Sequence, residues 1–175
     1  TNYITAQRLS GGELIGSAVF SWERWIPFVP WMVVPYWSID LFFLGAPFVL
    51  RTRAELRLLV LRICSGILAA GFFFLCFPLQ LAFARPLVDP PLSALFSALD
   101  NFNNFFNLAP SLHIILRSIL WTVYIPAARG ALRLFLQCWF VMIGLSTLLV
   151  YQHHFIDLFT GQIVGLLIIQ MLQPQ

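Results

Sequence analysis

The chain has 175 residues, of which 60% are hydrophobic and 10% are charged, and its mean hydropathy is +0.86. Soluble domains carry about 25% charged residues, so this composition excludes an ordinary soluble domain and indicates one membrane-embedded domain. All ten basic residues are arginine and the net charge is only +3, a balance that argues against nucleic-acid binding.

The first predicted element is an amphipathic helix over Gly11–Trp25. Apolar residues such as Leu14 and Phe20 stand there beside Glu23, and Trp22 lies near its end. This mixture is typical of a helix that lies in the membrane interface. We therefore expect an interfacial segment over residues 1–28, followed by a membrane-embedded domain over residues 29–175.

Five apolar stretches predict membrane-spanning helices. They run over Val29–Leu50, Leu56–Ala84, Pro110–Pro126, Leu132–Tyr151 and Ile156–Leu172. A span needs about 17–25 residues, so the third stretch qualifies only if its ends are buried. Between the second and third, Pro90–Leu108 predicts a short surface helix and loop, whose aromatic part, Phe102–Phe106, is a candidate for substrate selection. The predicted fold class is an all-α, polytopic helix bundle.

The arginines orient this bundle. The connectors after the first and third spans carry five of them: Arg51, Arg53, Arg57, Arg129 and Arg133. By the positive-inside rule these connectors are cytoplasmic, which puts the histidine-bearing segments on the outer face. Thr1 would then lie outside, so we expect a further span upstream, which gives six spans in the intact protein. A fused or associated domain could also lie beyond this chain.

His153 and Asp157 form the first candidate site. On a helix, residues four apart share a face, so the carboxylate could accept the Nδ1 proton and leave Nε2 free as a nucleophile. The alternative is a purely structural pair, in which His153 only provides a partner for Asp157 at the start of a membrane helix, where an unpaired charge is costly.

His113 is the second candidate. It follows Pro110–Leu112 at the start of a predicted helix, whose free N–H groups could bind an anion while the imidazole protonates a leaving oxygen. The alternative is an interfacial polar anchor. A zinc site made by the three histidines and an aspartate is a weaker hypothesis.

Two arginines could bind a phosphate at this site. Arg117 lies one helical turn below His113 inside an apolar span, where it could clamp a phosphate, pair with Asp40, or do both. Arg85, at the outer end of the second span, is either a phosphate ligand or an arginine that reaches to the membrane interface.

These residues resemble the motifs of the type-2 phosphatidic-acid phosphatase superfamily, which includes lipid phosphate phosphatases and the sphingomyelin and inositol-phosphorylceramide synthases. That family's third motif reads S-R, five residues, H, three residues, D, and Ser146-Thr147 precedes His153 and Asp157 at the same spacing. Its second motif, P-S-G-H, is matched by Pro110–His113, and the Arg-Pro that ends the first by Arg85-Pro86. The similarity covers residues 29–172 and looks closest to bacterial members, some fused to a dual-specificity phosphatase domain, and to the inositol-phosphorylceramide synthase branch.

The resemblance implies a mechanism. His153 would attack phosphorus to form a phosphohistidine, Asp157 would orient it, and His113 would protonate the leaving alkoxide. The implied substrate is a phospholipid or lipid phosphate, and no metal or other cofactor is implied. The implied location is the bacterial inner membrane, with the site on the periplasmic face. Phosphate-binding residues would come from Arg85, Ser111, Arg117 and Ser146.

The chain also departs from the family pattern. Pro78 stands where the first motif has lysine, and Thr147 where the third has arginine. Loss of two cations should weaken catalysis on a phosphomonoester dianion. We therefore expect attack on a phosphodiester headgroup, with transfer to water or to a lipid hydroxyl, unless Arg117 supplies the missing charge. The rival hypothesis is a catalytically idle membrane scaffold or assembly subunit that retains the fold.

Overall fold

The computed structural model describes residues 3–8, 14–77, 79, 81–102 and 108–173. Two strands, β1 (Tyr3–Arg8) and β2 (Leu14–Val19), pair antiparallel and are followed by 3-10 helices over Ser21–Trp25 and Pro30–Met32. Over the described residues, the rest of the regular structure is helical: α1 (Val33–Val49), α2 (Arg53–Cys76), α3 (Ser93–Phe102), α4 (Leu112–Ala127), α5 (Gly130–Leu149) and α6 (Phe155–Met171).

The amphipathic helix predicted over Gly11–Trp25 is wrong. Strand β2 and a 3-10 turn occupy its described part, and residues 11–13 lie outside the described residues. Gly16 and Ser17 are weak helix formers, and β1 offers the backbone hydrogen-bond partners of a strand. Pairing with a neighbouring segment therefore overrides the helical pattern.

Among the described residues, three helices are long and apolar enough to cross a membrane: Pro30–Val49, which includes a 3-10 turn, Arg53–Cys76 and Gly130–Leu149. Only 28%, 28% and 33% of their most apolar stretches is buried within the protein. Large apolar side chains such as Phe48, Leu68 and Leu75 point outward instead. Helices α4 and α6 are apolar but shorter. This architecture confirms a helical bundle with apolar outer surfaces and is compatible with an integral membrane protein.

The second predicted span is too long at its C-terminal end. Helix α2 ends at Cys76 rather than at Ala84, and Phe77 leaves the helical region at φ −137° and ψ 70°. The next residue in the sequence is Pro78, and a proline disfavours the helical conformation of the residue before it. Residues 81–89, which include Arg85, are consequently non-helical.

Helix α4 lies at the centre of the bundle, in contact with α1, α2, α5 and α6. Its closest neighbour is α6, where Gly161 and Gly165 form a G-x-x-x-G pair facing Ser111 and Ser118. Small residues at this spacing let two helix backbones approach closely. A Cβ at position 161 would stand 2.7 Å from the Ser111 carbonyl oxygen. This contact leaves no room for a side chain.

The two ends of the bundle have different chemistry. We call the end with Arg51 and Arg129 the arginine end. There the buried Arg62 of α2 donates to the Leu172 carbonyl from Nε at 3.1 Å and from Nη2 at 2.7 Å. A cation at the C-terminus of α6 is favoured by the free carbonyls and the helix dipole. We call the opposite end, with His113 and His153, the histidine end.

The α4–α6 contact yields a stability prediction. Gly161→Ala should lower the free energy of unfolding by about 1–3 kcal/mol, because the new methyl group collides with backbone rather than with a movable side chain. Gly71→Ala in α2 is the matched control, since a Cβ there meets nothing within 4 Å. It should be neutral or stabilising by up to about 1 kcal/mol. Thermal unfolding in detergent would test both, and equal melting temperatures would contradict the packing described.

Candidate functional site

The turn between α5 and α6 positions His153. The backbone N–H groups of Gln152 and His153 both donate to the Thr147 carbonyl, at 3.0 and 3.1 Å. Tyr151 takes the left-handed conformation, with φ 53°, in a C-cap of the kind that usually contains glycine. Its hydroxyl donates to the Ile26 carbonyl at 2.8 Å, which helps to hold this strained residue. Thr147, which stands where the motif of the resembled family has arginine, thus holds His153 through its backbone carbonyl.

His153 lies outside α6, which begins at Phe155, so the helical pairing expected with Asp157 is wrong in its local structure. The two side chains nevertheless meet, with 3.5 Å between His153 Nδ1 and Asp157 Oδ2. The contact is not a hydrogen bond, and Nδ1 is buried without a hydrogen-bond partner in the described part of the chain. Asp157 Oδ2 is already held, because it accepts from the His154 N–H at 2.8 Å.

His154 has a different environment from His153. Its Nε2 accepts a hydrogen bond from the Ala82 N–H at 3.0 Å, and its Nδ1 lies 3.1 Å from Glu23 Oε2. Because a backbone N–H can only donate, Nε2 must carry the lone pair, which places the proton on Nδ1 and directs it at Glu23. Both ring nitrogens are engaged, so His154 holds the structure together and is not available as a nucleophile.

Glu23 is a buried residue that the sequence did not single out as part of the site. Its carboxylate is 2% exposed and accepts from the N–H groups of Phe20, at 2.8 Å, and Phe155, at 3.0 Å, as well as facing His154. It therefore joins the segment before α1 to the start of α6. The one general rule that points to such a role is that a buried carboxylate needs hydrogen-bond partners, because burying it without them costs free energy.

The start of α4 is tied directly to the start of α6. The Ser111 N–H donates to the Asp157 carbonyl at 3.0 Å, and the Ser111 hydroxyl accepts from the Ile114 N–H at 3.4 Å. His113 stacks on Tyr36 of α1, with ring centroids 4.2 Å apart and planes at 17°. Its Nε2 is buried without a hydrogen-bond partner in the described structure. His113 is also close enough to His153 for a charge on one ring to act on the other.

Arg85 approaches the same region from the segment after α2. Its Nη2 forms an ion pair with Asp100 of α3, and its guanidinium carbon lies 5.0 Å from the ring centroid of Phe96. Its Nε and Nη1 are buried and have no partner among the described residues. Its charge is near enough to act on Tyr36, the residue that stacks on His113. Arg85 therefore keeps two donors at the same end of the bundle as the Tyr36–His113 stack.

Arg117 faces the interior between helices. Its Nη2 donates to Gln162 Oε1 of α6 at 2.8 Å, and its Nη1 donates to the Phe140 carbonyl of α5 at 3.4 Å. Gly144 of α5 makes room for the guanidinium, because a Cβ there would stand 2.9 Å from Nη1. Asp40 is exposed and forms no ion pair within the described ranges, so the alternative of an Arg117–Asp40 pair is wrong.

Ser146 is fully buried, and its hydroxyl donates to the Ile143 carbonyl of its own helix at 2.7 Å. Its role as a phosphate ligand stays a prediction. The aromatic stretch Phe102–Phe106 lies largely outside the described residues, as does Pro78.

A cavity beside His153 and His154 has a volume of only about 10 Å³. That is the room of roughly one water molecule, so this cavity does not hold a lipid phosphate. In the parts of the chain that the structure describes, no three His, Cys, Asp or Glu side chains are grouped closely enough to bind a metal ion.

No protein-family model, curated protein or solved structure matches the chain.

The buried Glu23 carboxylate yields a second stability prediction. Glu23→Gln should lower the free energy of unfolding by about 1–3 kcal/mol, because an amide cannot accept from three donors as the carboxylate does. Glu55→Gln, at an exposed helix start, should have a smaller effect because water can replace its bonds. Melting temperatures in the same detergent would compare the two variants. A smaller decrease in melting temperature for Glu23→Gln than for Glu55→Gln would contradict the role of Glu23 in joining the segment before α1 to α6.

The environment of Arg117 gives a third stability prediction. Arg117→Leu should destabilise the protein by about 1–3 kcal/mol, because it removes the hydrogen bonds that join α4 to α5 and α6. Asp40→Asn should change stability by less than about 0.5 kcal/mol, since the exposed carboxylate pairs with no described cation. Equal losses of unfolding free energy in the two single variants, with no further loss in the double variant, would show that Arg117 pairs with Asp40 after all.

Proposed function

We propose that the chain is an integral-membrane lipid phosphatase or phosphotransferase that acts through a phosphohistidine on His153. The observation that carries this proposal is a group of buried nitrogen atoms that have no hydrogen-bond partner among the described residues: Arg85 Nε and Nη1, His113 Nε2, Arg117 Nε and His153 Nδ1. Buried polar atoms without partners are rare because each costs free energy. Guanidinium and imidazole N–H groups at one end of the bundle suit an anionic ligand.

The outward-facing apolar surfaces of α1, α2 and α5 support placement in a membrane. With the arginine end on the cytoplasmic side, the histidine end faces the outer leaflet. In a bacterial cell this is the periplasmic face of the inner membrane. A lipid phosphate could then reach the histidines laterally, from the headgroup level of the outer leaflet.

In the first proposed step, the His153 Nε2 lone pair forms a bond to phosphorus. The bond between phosphorus and the leaving alkoxide oxygen breaks, and His113 gives that oxygen a proton. Asp157 stabilises the imidazolium through Nδ1, and their 3.5 Å separation needs to shorten only slightly to become a hydrogen bond. Arg85 neutralises the charge of the phosphoryl oxygens.

In the second step, an acceptor hydroxyl attacks the phosphohistidine and its proton passes to His113. The phosphorus–nitrogen bond breaks, and both histidines return to their starting states. Water as acceptor gives hydrolysis, whereas a lipid hydroxyl gives headgroup transfer. Both outcomes use the same two imidazoles.

The charge of the site favours a phosphodiester substrate. Among the described residues, Arg85 keeps two buried nitrogens without hydrogen-bond partners, whereas Arg117 keeps only Nε and uses its other nitrogens to bond to Gln162 and to the Phe140 carbonyl. A phosphodiester carries a single negative charge and needs fewer cations than a monoester dianion. For a lipid such as phosphatidylinositol, the leaving group would be diacylglycerol, and the phosphorylated headgroup would be held on His153.

A catalytically idle membrane scaffold or assembly subunit is the second candidate. Pro78 and Thr147 replace two cations of the family motif, and the Ser146 hydroxyl is engaged within its own helix. The retained His113, His153 and Asp157 favour the enzyme, since a scaffold would have no need of a nucleophile, an acid and an orienting carboxylate together.

An activity panel separates these candidates. The purified chain in nanodiscs would be given labelled phosphatidate, diacylglycerol pyrophosphate, or phosphatidylinositol with and without ceramide, and products would be followed by released phosphate, diacylglycerol and exchanged headgroup. We expect turnover of at least one substrate, with phosphatidylinositol favoured. His153→Ala should reduce turnover at least about a thousandfold because it removes the nucleophile.

Cys138→Ser, on the exposed face of α5, is the control for expression and handling and should keep full turnover. Melting curves would establish that His153→Ala is folded. Equal product from the parent and His153→Ala would overturn the assignment of the nucleophile, and no product from any lipid would favour the idle scaffold.

A further inference from the structure

The arginine end contains a second cavity, far from the histidines. It has a volume of about 640 Å³ and lies between the end of α1, the start of α2 and the end of α4. Ligand pockets commonly have volumes of about 300–1,000 Å³, so this cavity is large enough for a lipid headgroup or a small metabolite. Neither the motifs of the histidine end nor the proposed catalysis uses it.

Three arginines line this cavity: Arg51, Arg62 and Arg129. The acid among its lining residues is Glu55, whose Oε2 already accepts from the N–H groups of Arg51, at 2.8 Å, and Thr52, at 2.9 Å. The surplus of positive charge is therefore left for a ligand. Guanidinium groups present paired donors that match the oxygens of a phosphate.

The three arginines are held to different degrees. Arg62 is 7% exposed and fixed by the Leu172 carbonyl and by the Thr122 hydroxyl, which accepts from Nη1 at 3.0 Å. Arg51 and Arg129 are exposed and form no ion pair within the described part of the chain. Arg62 thus gives the cavity a rigid positive wall, and the other two provide adaptable cations beside it.

Apolar side chains complete the lining, among them Leu50, Leu58 and Pro126. A free anion would gain nothing from these apolar surfaces. A phospholipid could place its phosphate among the arginines and its acyl chains against the apolar side chains. Basic pockets between membrane helices on the cytoplasmic side are typical sites for anionic headgroups.

We infer that this cavity binds the phosphate of an anionic phospholipid from the leaflet at the arginine end. The inference rests on the proposed membrane placement but not on the proposed catalysis. A phosphate group could also come from a soluble molecule, and the lipid is the source that accounts for the apolar wall.

The test compares lipid retention by the parent and two double variants. The full chain would be extracted into detergent with phosphatidylglycerol or phosphatidylcholine, and bound lipid would be counted by native mass spectrometry. The parent should retain phosphatidylglycerol in preference to phosphatidylcholine. Arg51→Ala/Arg129→Ala should reduce that retention on the order of tenfold, because it removes two cations next to the headgroup. Arg62 stays intact, since its loss would also free the end of α6.

Arg57→Ala/Arg133→Ala is the matched control, because it removes the same charge from the same end at positions that do not line the cavity. It should leave the preference for phosphatidylglycerol unchanged. Equal losses in both double variants, or no preference in the parent, would overturn the site. A third arm adds inorganic phosphate or glycerol phosphate, and stabilisation by these alone would overturn the lipid assignment. The histidine-site activity of each variant, measured separately, distinguishes failure here from failure of the proposed catalysis.

Discussion

The close approach of α4 and α6 constrains the whole histidine end. Gly161 lies against the backbone of Ser111, and the Ser111 N–H in turn bonds to the Asp157 carbonyl at 3.0 Å. This backbone contact brings the residue after Ser111-Leu112, which is His113, to the same end of the bundle as the segment before α6. His113 lies at the start of α4 and His153 lies in the turn between α5 and α6, so both positions depend on how these helix starts are held together. The glycine in α6 therefore sets how closely the segments that carry the two histidines approach each other.

The two adjacent histidines show how surroundings divide identical side chains into different roles. His154 has both ring nitrogens engaged, one by the Ala82 N–H and one by Glu23, and its function is to hold three segments together. His153 is held through its backbone, and its Nδ1 faces Asp157 Oδ2 at 3.5 Å. An imidazole that is fixed in place with Nδ1 directed at a carboxylate is suited to act as a nucleophile through Nε2. This difference supports His153 for that role.

Much of the bundle could be predicted from the sequence because long apolar runs depend only on local composition. The starts and ends of α4, α5 and α6 lie within about two residues of the predicted spans, within the usual uncertainty of helix ends. The hairpin was missed because strand pairing depends on a partner segment. The Glu23–His154 contact joins residues 131 positions apart, and no spacing rule reveals it. The role of Arg62 could have been anticipated, since an arginine within an apolar span needs partners.

The central claim is that His153 carries a covalent phosphoryl intermediate. The direct measurement is to mix the protein with a phospholipid labelled at phosphorus, quench in alkali, digest, and locate the bound label by mass spectrometry. Phosphohistidine survives alkali and is lost in acid, which distinguishes it from phosphoserine. The account predicts acid-labile label on the peptide that contains His153, and none in His153→Ala. Label on another residue, or label that persists in that variant, would contradict it.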